Sequence, residues 1–175
     1  PSRLLLGVGT KKIKDEVKEM LIREIQEKDN QAVEHLIRTC LIEFEANKEG
    51  CAWSDPQLGV FSEVYQPEKS CYWVVEMAGE IVAGCGIGPV ESKPNVCELQ
   101  KMYAFKEARG TGIASQLLEI ALAFAKQYYE ECYLETFSNM EAANRFYQKN
   151  GFIALASPLV ETPHYACDKW YLKHL

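Results

Sequence analysis

The chain has 175 residues and a formal net charge of −6 at pH 7, with 47% hydrophobic and 25% charged residues. This length suits one domain with a substantial core, and the composition is that of a globular rather than a disordered protein. The negative charge argues against a nucleic-acid partner, and no apolar stretch approaches the roughly 20 residues of a membrane-spanning helix, so no membrane partner is expected.

The first 19 residues are expected to form an N-terminal extension to a single domain over residues 20–175. Lys11 to Glu19 is dense in charge, and Ile13, Val17 and Met20 fall at helical spacing, which favours a short amphipathic helix. Met20 directly precedes the first clear strand pattern, over residues 21–25.

A helix is predicted after Asp29 or Asn30, either of which can cap it, with Gly50 closing it. A shorter helix is predicted over residues 58–65, after a helix-start signal at Asp55.

Aromatic and β-branched residues predict strands over residues 71–77 and 81–87, joined as a hairpin. Gly84, Gly86 and Gly88 in the second strand indicate a bulge or a backbone that a neighbour approaches closely. Residues 89–94 are predicted as a loop.

In the remainder of the chain strands and helices alternate. Predicted strands cover residues 96–105, 132–136, 152–156 and 169–173, and predicted helices cover residues 110–129 and 140–149. The last strand alternates as an edge strand would. Helices inserted among strands predict an α/β domain, or α+β in some schemes, with a mixed sheet.

The seven cysteines are an odd number, and no two have C-x-x-C spacing. This argues against a zinc or redox motif, so no metal is expected. Several lie inside apolar runs, as Cys85 does. We therefore expect reduced, mostly buried thiols in a cytoplasmic protein.

The most informative segment opens the helix that follows the strand over residues 96–105. It reads Arg109-Gly110-Thr111-Gly112-Ile113-Ala114. A strand that feeds a glycine-containing turn at a helix N-terminus collects free backbone N–H groups, which favour a phosphate together with the helix dipole. Gly110 and Gly112 let the backbone approach such a ligand, and Arg109 adds a cation. The same residues also fit a helix start with two convenient glycines and no ligand.

Two other phosphate-binding patterns fit less well. The Walker pattern needs a Lys and then Ser or Thr after its last glycine, whereas Ile113 follows Gly112. A dinucleotide fingerprint could be sought at Gly7 and Gly9, but Lys12 stands where its third glycine should be.

From residue 98 to residue 152 the chain resembles the GNAT superfamily of N-acetyltransferases, whose phosphate loop reads Arg/Gln-x-x-Gly-x-Gly/Ala. The matching positions are Arg109, Gly112 and Ala114. The resemblance continues over residues 133–136 and 139–152. It implies a mixed, mostly antiparallel sheet of about six to seven strands flanked by about four helices, with acetyl-CoA as co-substrate.

In this family the pantetheine arm of the cofactor lies in a splay between the strand before the phosphate loop and the strand after the long helix. The resemblance implies that the backbone of Met102, Tyr103 and Ala104 contacts pantetheine and the acetyl carbonyl. An N–H group aimed at the thioester oxygen would stabilise the oxyanion of acyl transfer. Asn139 resembles a residue that touches the cofactor, and it fits equally well as the cap of the following helix.

Two residues are candidates for proton transfer. Tyr147 lies in a Phe-Tyr-x-Lys-x-Gly-Phe context typical of the family and is the candidate acid for the departing thiolate. Glu98 holds the family's usual acidic position and is the candidate base for the amine, directly or through water. Their alternatives are packing of Tyr147 at a helix end and a salt bridge of Glu98 on a strand face. Glu135 is a weaker rival base.

His164, Cys167 and Asp168 resemble the parts of a nucleophilic triad by residue type, but triad members seldom lie within five residues of one another. His164 fits an acceptor pocket instead. Residues 47–65, with the aromatic side chains Trp53, Phe61 and Tyr65, are expected to help shape that pocket.

We therefore predict an N-acetyltransferase that moves the acetyl group of acetyl-CoA directly to a primary amine of a small molecule or peptide. Two alternatives stay open: a CoA-binding module that has lost catalysis, and an NAD-type dinucleotide-binding protein. We expect a monomer or a homodimer, which a C-terminal edge strand would permit.

Overall fold

The computed structural model describes residues 7–13 and 16–175, with side chains from Glu19 onward. Within these residues one sheet contains eight strands. The strands are β1 Gly7–Ile13, β2 Glu16–Glu24, β3 Cys71–Met77, β4 Glu80–Val90, β5 Lys93–Ala104, β6 Glu131–Thr136, β7 Ile153–Leu155 and β8 Lys169–His174. The α-helices are α1 Asn30–Glu43, α2 Phe61–Val64, α3 Ile113–Ala125 and α4 Glu141–Lys149.

The strand order is β1-β2-β3-β4-β5-β6-β8-β7, and every neighbouring pair is antiparallel except β5 and β6. The expected fold class, a mixed and mostly antiparallel sheet with about four helices, is confirmed. The sheet gains a further edge strand because β1 pairs with β2.

The helices cover both faces of the sheet. The side of α1 and α2 packs on Tyr72 and Val74, and the side of α3 and α4 packs on Trp73 and Val75. Successive residues of a strand point to opposite faces. β3 is buried on both sides from Cys71 to Val75, and this part of its sequence is a continuous apolar run. Burial of each such side chain contributes about 1.5–3 kcal/mol to the free energy of unfolding. This packing holds β3 in the middle of the sheet, next to β4.

The prediction of a short helix over residues 11–19 is wrong for residues 11–13 and 16–19, which the structure describes as strands. These residues belong to a hairpin of β1 and β2, in which Gly7 lies opposite Ile22 and Ile13 opposite Glu16. Pairing along a whole strand satisfies the backbone polar groups, whereas an isolated helix of that length is marginal. Gly7 and Gly9 therefore lie inside a strand and not in the strand-to-helix turn that a dinucleotide fingerprint requires.

The C-terminal strand is not the edge strand that its alternation predicted. β8 lies between β6 and β7, with Thr136 opposite Lys169 and Ile153 opposite Leu172. The short strand β7 forms the edge instead. This pairing joins segments separated by a long connection, which local alternation does not reveal. The argument for a homodimer through β8 is therefore lost, and oligomeric state stays a prediction.

Helix α1 ends earlier than Gly50, at Glu43. Glu45 adopts a left-handed conformation with a φ of 58°. The N–H of Ala46 then donates to the carbonyl of Leu41 at 2.8 Å, which completes a Schellman motif without glycine.

Two other boundaries differ from expectation. The loop expected over residues 89–94 shrinks to a tight turn, because β4 continues to Val90 and β5 begins at Lys93. The second helix covers only Phe61–Val64, since the backbone of Val60 is not helical.

Candidate active site

Strands β5 and β6 separate part-way along their length. They pair only from Val96 to Glu98, opposite Glu131 to Tyr133. Beyond Glu98, β5 pairs with β4 on its other side. The edge of residues 99–104 that faces β6 therefore offers backbone N–H and C=O groups to an extended ligand. This is the splay that the family resemblance implies.

Strand β5 carries a bulge inside the splay. Gly84 lies opposite Tyr103 and Gly86 opposite Gln100, so the bulge falls at Lys101 and Met102. The φ of Lys101 is 49°, a left-handed conformation uncommon outside glycine. Such bulges re-aim side chains and are frequent beside active sites.

The predicted phosphate loop follows β5 and ends where α3 begins at Ile113. Gly110 and Gly112 have φ values of 69° and 84°, which explains the glycines and the later start of the helix. A Cβ on Gly110 would meet no heavy atom within 4 Å. Gly112 supplies no side chain to cap α3, so the first N–H groups of the helix remain available to an anion. The hydroxyl of Thr111 donates to the carbonyl of Ala108, which braces the turn.

The side chain of Arg109 is fixed against α1 rather than free beside the loop. Its Nε donates to the carbonyl of Ala104 at 2.9 Å, and its terminal nitrogens donate to the two carboxylate oxygens of Glu43 at 2.6 and 2.8 Å. These bonds raise the pKa of Arg109 and lower the pKa of Glu43. The sequence predicts a cation beside the loop, and in the structure the charge of this cation is paired with Glu43. Attraction of an anion therefore depends mainly on the backbone N–H groups.

A largely apolar groove of about 330 Å³ runs from this loop to α4, and we call it the loop groove. Its lining includes Met102, Tyr103, Ala104, Arg109, Gly110, Ala114 and Tyr147. A smaller central cavity of about 60 Å³ lies within the splay and shares Met102, Tyr103 and Tyr147 with the groove. The three backbone positions predicted from β5 and the predicted acid are thus brought together.

Tyr147 projects from α4 and is 8% exposed. Its ring packs against the rings of Phe152 and Tyr171. Among the described residues, its hydroxyl has no hydrogen-bond partner. Burial raises the pKa of Tyr147 above its ordinary value. The phenol therefore stays protonated at neutral pH and is free to donate toward the central cavity.

Glu98 lies at the last position of β5 that pairs with β6, and it lines the central cavity. Burial raises the pKa of Glu98, while the positive charge of Lys101 and a hydrogen bond with Gln100 act in the opposite direction. A carboxylate with a raised pKa is a stronger proton acceptor than one in water, as a general base requires. Glu98 and Tyr147 thus line the same cavity, as the sequence predicted.

A third cavity, the outer cavity, has a volume of about 700 Å³ and opens on the other side of Glu98. Phe61 and Tyr65, two of the aromatic residues expected to shape an acceptor pocket, line this cavity. Trp53 is outside its lining and packs under Arg38, 4.7 Å from ring centroid to guanidinium carbon. The carboxylates in the lining are Asp55, Glu91, Glu98 and Glu161.

Asp55 connects two cationic or titratable side chains at the boundary between the central and outer cavities. Its Oδ2 lies 2.7 Å from Nζ of Lys101, and its carboxylate oxygens lie 2.9 and 3.0 Å from Nε2 of His164. Burial raises the pKa of Asp55, but the hydrogen bond with His164 and the charge of Lys101 outweigh it, so the net shift is downward. Asp55 is therefore ionised at neutral pH.

Comparison with known proteins identifies the family of the chain. The profile of the acetyltransferase (GNAT) family matches residues 25–152. The chain belongs to the GNAT acetyltransferase family. It is 35% identical over 158 residues to the uncharacterized N-acetyltransferase YjgM of Escherichia coli (strain K12), a match that covers 89% of this chain and 95% of that protein. It is therefore an acyltransferase.

Other GNAT proteins resemble the chain over part of its length or in fold. The N-acetylaspartate synthetase of Homo sapiens is 30% identical over 103 residues, 58% of this chain and 34% of that protein. A GNAT acetyltransferase from Staphylococcus aureus Mu50 superposes with a TM-score of 0.78 at 21% identity, covering 89% of this chain and 98% of the other. The PaiA N-acetyltransferase of Thermoplasma acidophilum, solved in complex with coenzyme A, superposes with a TM-score of 0.68 at 16% identity, covering 89% and 99%.

One residue matched to the GNAT pattern lies away from the cavities described above. Asn139 is exposed, and its amide donates to the carbonyl of Phe44 at 3.1 Å. It lines neither the loop groove nor the central cavity. It does not cap α4 either, because the N-cap residue is Met140. In this structure Asn139 links the end of α1 to the segment before α4.

The structure does not bring His164, Cys167 and Asp168 together as a nucleophilic triad. Asp168 accepts hydrogen bonds from Ser138, and His164 is bonded to Asp55. Burial raises the pKa of Cys167 to about 12, so it is a thiol and not a thiolate nucleophile. These three side chains therefore do not form a nucleophilic triad.

Sequence reasoning missed Asp55, Lys101 and Glu43. The sequence pattern at Asp55 indicates only a helix start, and nothing local to Glu43 indicates a contact with the phosphate loop. Lys101 offered a signal, because a second charged residue in the strand of Glu98 interrupts its apolar alternation.

Six of the seven cysteines are buried and Cys167 is half-buried, which confirms the expectation of mostly buried thiols. In the part of the chain that the structure describes, no cluster of three or more His, Cys, Asp or Glu side chains is arranged to hold a metal ion. None of the helices described here has the length and apolar character needed to cross a membrane.

Proposed function

We propose that the chain transfers the acetyl group of acetyl-CoA directly to a primary amine of a small molecule or peptide. The observation that carries this proposal is the sequence of three cavities along β5. The loop groove and the central cavity share Tyr147, and the central and outer cavities share Glu98. Two substrates that enter from opposite ends would meet between a proton donor and a proton acceptor.

The loop groove fits the shape and chemistry of acetyl-CoA. Its glycine loop offers N–H groups and open space to the pyrophosphate. The free edge of β5 at Met102, Tyr103 and Ala104 offers an extended strand partner to the amide groups of pantetheine. Thr111 and Ile113 contribute through their backbone, since the side chain of Ile113 is fully buried. Asn139 would need to turn away from Phe44 to take the cofactor contact that the family pattern suggests.

The outer cavity fits a cationic amine. Several carboxylates line it. Among the described residues of the lining, the basic side chains are Lys101 and His164, and both are already bonded to Asp55. A negative lining raises the local concentration of a cation and orients an ammonium group toward Glu98.

The two predicted proton-transfer residues have distinct roles in this arrangement. Glu98 takes a proton from the acceptor nitrogen, directly or through water, so that the nitrogen can become part of an amide. Tyr147 donates its proton to the sulfur as the carbon–sulfur bond breaks. An N–H group on the free edge of β5 stabilises the negative charge on the thioester oxygen, a contribution of about 3 kcal/mol in other acyl-transfer enzymes.

The proposal is tested by incubating the purified chain with acetyl-CoA and a panel of amines. The panel includes polyamines, amino acids, peptides and aspartate, because relatives named N-acetylaspartate synthetase match part of this chain. We expect at least one amine to release CoA thiol and to appear as its N-acetyl product in equal amount. Thiol release that is independent of the amine would contradict direct transfer. CoA binding without release for every amine would indicate an inactive module.

A further inference from the structure

His164 is held in one orientation at the boundary between the central and outer cavities. It lines both cavities and its side chain is 19% exposed. Nε2 lies 2.9 and 3.0 Å from the two carboxylate oxygens of Asp55, and the backbone N–H donates to the hydroxyl of Thr162. Thr162 in turn donates to Glu135 on β6, so both the ring and the backbone of His164 are fixed.

The contact with Asp55 determines which ring nitrogen is a base. An ionised carboxylate only accepts hydrogen bonds, so Nε2 carries a proton and donates it. In a neutral imidazole the lone pair is then on Nδ1. Within the described residues, Nδ1 has no hydrogen-bond partner. The site thus holds an oriented imidazole whose lone pair bonds to none of the described residues.

The acceptor nitrogen gives up two protons in the reaction, and a single carboxylate holds only one proton at a time. A primary ammonium loses one proton before its nitrogen attacks the thioester carbon and another when the nitrogen becomes part of an amide. One group, Glu98, accounts for one of these transfers. The proton that reaches the sulfur comes from Tyr147, which must itself be reprotonated.

We propose that His164, oriented by Asp55, is a second proton acceptor of the reaction and takes the first proton from the incoming ammonium at Nδ1. The ammonium N–H bond breaks, the proton bonds to Nδ1, and the electron pair stays on the amine nitrogen. Asp55 stabilises the imidazolium, which returns its proton to solvent through the outer cavity. Glu98 takes the second proton as the carbon–nitrogen bond forms, and Tyr147 recovers its own proton from Glu98. This proposal rests on the proposed acetyl transfer to an amine.

The charged groups around His164 are compatible with that role. Asp55 and Lys101 form one ion pair, so they add no net charge beside the ring. The carboxyl groups of Glu98 on β5 and Glu135 on β6 line the central cavity together with His164. Cys167 lines the same central cavity and stays neutral, because burial raises its pKa to about 12.

The test uses the full chain and the best amine from the panel, with His164→Gln as the main variant and His35→Gln as its control. His35 is exposed on α1 and lines neither of the two cavities. We expect His164→Gln to lower kcat/KM about 10²-fold at pH 7. The loss in kcat/KM should shrink by about tenfold for each unit that the pH is raised. At higher pH a larger fraction of the amine is already deprotonated in solution, so the reaction depends less on a base in the site. A loss that is the same at every pH, or a change in KM alone, would overturn the proposal.

The variant Asp55→Asn provides an independent test, through the direction in which the pH profile of the reaction moves. Removal of the carboxylate charge disfavours the imidazolium and leaves Lys101 unpaired, so both effects move the acid limb of the pH profile to lower pH. A limb that moves to higher pH would contradict the assignment.

NMR of ¹⁵N-histidine-labelled protein checks the tautomer without substrate, and a proton on Nδ1 of neutral His164 would overturn the proposal. If the wild-type chain releases no thiol with any amine, the proposed function fails and this inference fails with it. If the wild type is active and His164→Gln keeps its pH profile, only this inference fails.

Discussion

At the level of single residues, burial gives ordinary side chains the properties that the chemistry needs. Glu98 has a raised pKa because it is withdrawn from water, and Tyr147 keeps its proton for the same reason. Neither residue depends on an unusual partner. The candidate chemistry therefore follows from where β5 and α4 place these side chains.

Tyr147→Phe should lower kcat about 10²-fold and leave the Kd for CoA nearly unchanged. The ring packing is kept, and the hydroxyl that is lost has no partner among the described residues. Tyr171→Phe is the matched control, because Tyr171 packs on Tyr147 but its hydroxyl bonds to Asn144. Steady-state kinetics and a CoA titration check both. Equal losses of binding and turnover in Tyr147→Phe would refute its role as the acid.

Glu98→Gln should lower turnover and raise stability at pH 7. The folded state raises the pKa of Glu98, so it binds the proton more tightly than the unfolded state does. The wild type therefore loses stability as pH rises from the unfolded pKa, about 4.3, through the folded pKa. Gln carries no charge, so the advantage of the variant should disappear below about pH 4.

Thermal unfolding of wild type and Glu98→Gln at pH 7 and pH 4 measures this difference. Glu135→Gln, on the neighbouring strand, is the control and should keep most of its turnover. If Glu135→Gln is the inactive variant and Glu98→Gln is active, the base has been assigned to the wrong carboxylate.

At the level of secondary-structure elements, the candidate active site depends on two irregularities, one in strand β5 and one at the start of helix α3. The bulge at Lys101 and Met102 re-aims β5, and the left-handed glycines of the phosphate loop delay the start of α3. Arg109 ties this loop to the end of α1 through Glu43 and to β5 through the carbonyl of Ala104. We therefore expect Arg109 to support cofactor binding mainly by positioning the phosphate loop, and less by its positive charge.

Arg109→Ala and Arg109→Gln separate position from charge. Arg109→Ala loses every contact of the side chain and should raise the KM for acetyl-CoA about tenfold, equivalent to about 1.4 kcal/mol of binding. Gln keeps a donor for the carbonyl of Ala104 and should stay within about threefold of wild type, since a half-exposed pair with Glu43 contributes only about 1 kcal/mol or less. Similar losses in the two variants would show that charge matters instead.

At the level of the whole molecule, a buried ion network joins the sheet to the helical layer opposite α3. Arg23 on β2 donates to both carboxylate oxygens of Asp29, at 2.6 and 2.9 Å, and to Glu76 on β3. Burial raises the pKa of Asp29, but the hydrogen bonds from Arg23 and the N–H of Gln26 outweigh it and the net shift is downward. The network fixes the start of α1, whose far end contacts the phosphate loop.

Asp29→Asn should cost about 3 kcal/mol of unfolding free energy, because it leaves the buried guanidinium without its main partner. Since the folded state lowers the pKa of Asp29, its contribution is present above the unfolded pKa, about 3.9, and is lost as pH falls through the folded pKa. The difference from wild type should thus be constant near neutral pH and shrink in acid. Denaturant unfolding measures it, with the more exposed Glu76→Gln as a milder control. A difference that grows in acid would contradict this account.

Much of the site could be predicted because its signals are local. The glycine loop, Glu98 in an apolar strand and Tyr147 at the end of a helix each depend on a few neighbouring residues. The sequence could not show that Asp55 and His164 meet, because that contact spans 109 positions and depends on how residues 156–168 cross the sheet. The edge position of β7 and the pairing of β1 are likewise decided by tertiary packing, which local patterns do not encode.

The central claim is that acetyl-CoA binds in the loop groove, between the glycine loop and the free edge of β5. A calorimetric titration of CoA into the wild-type chain and into Ala114→Trp, whose side chain would fill the groove, tests this most directly. We predict one CoA per chain for the wild type and at least a tenfold weaker Kd for the variant, with its melting temperature retained. Unchanged CoA affinity in Ala114→Trp, or binding of NAD in place of CoA, would contradict it.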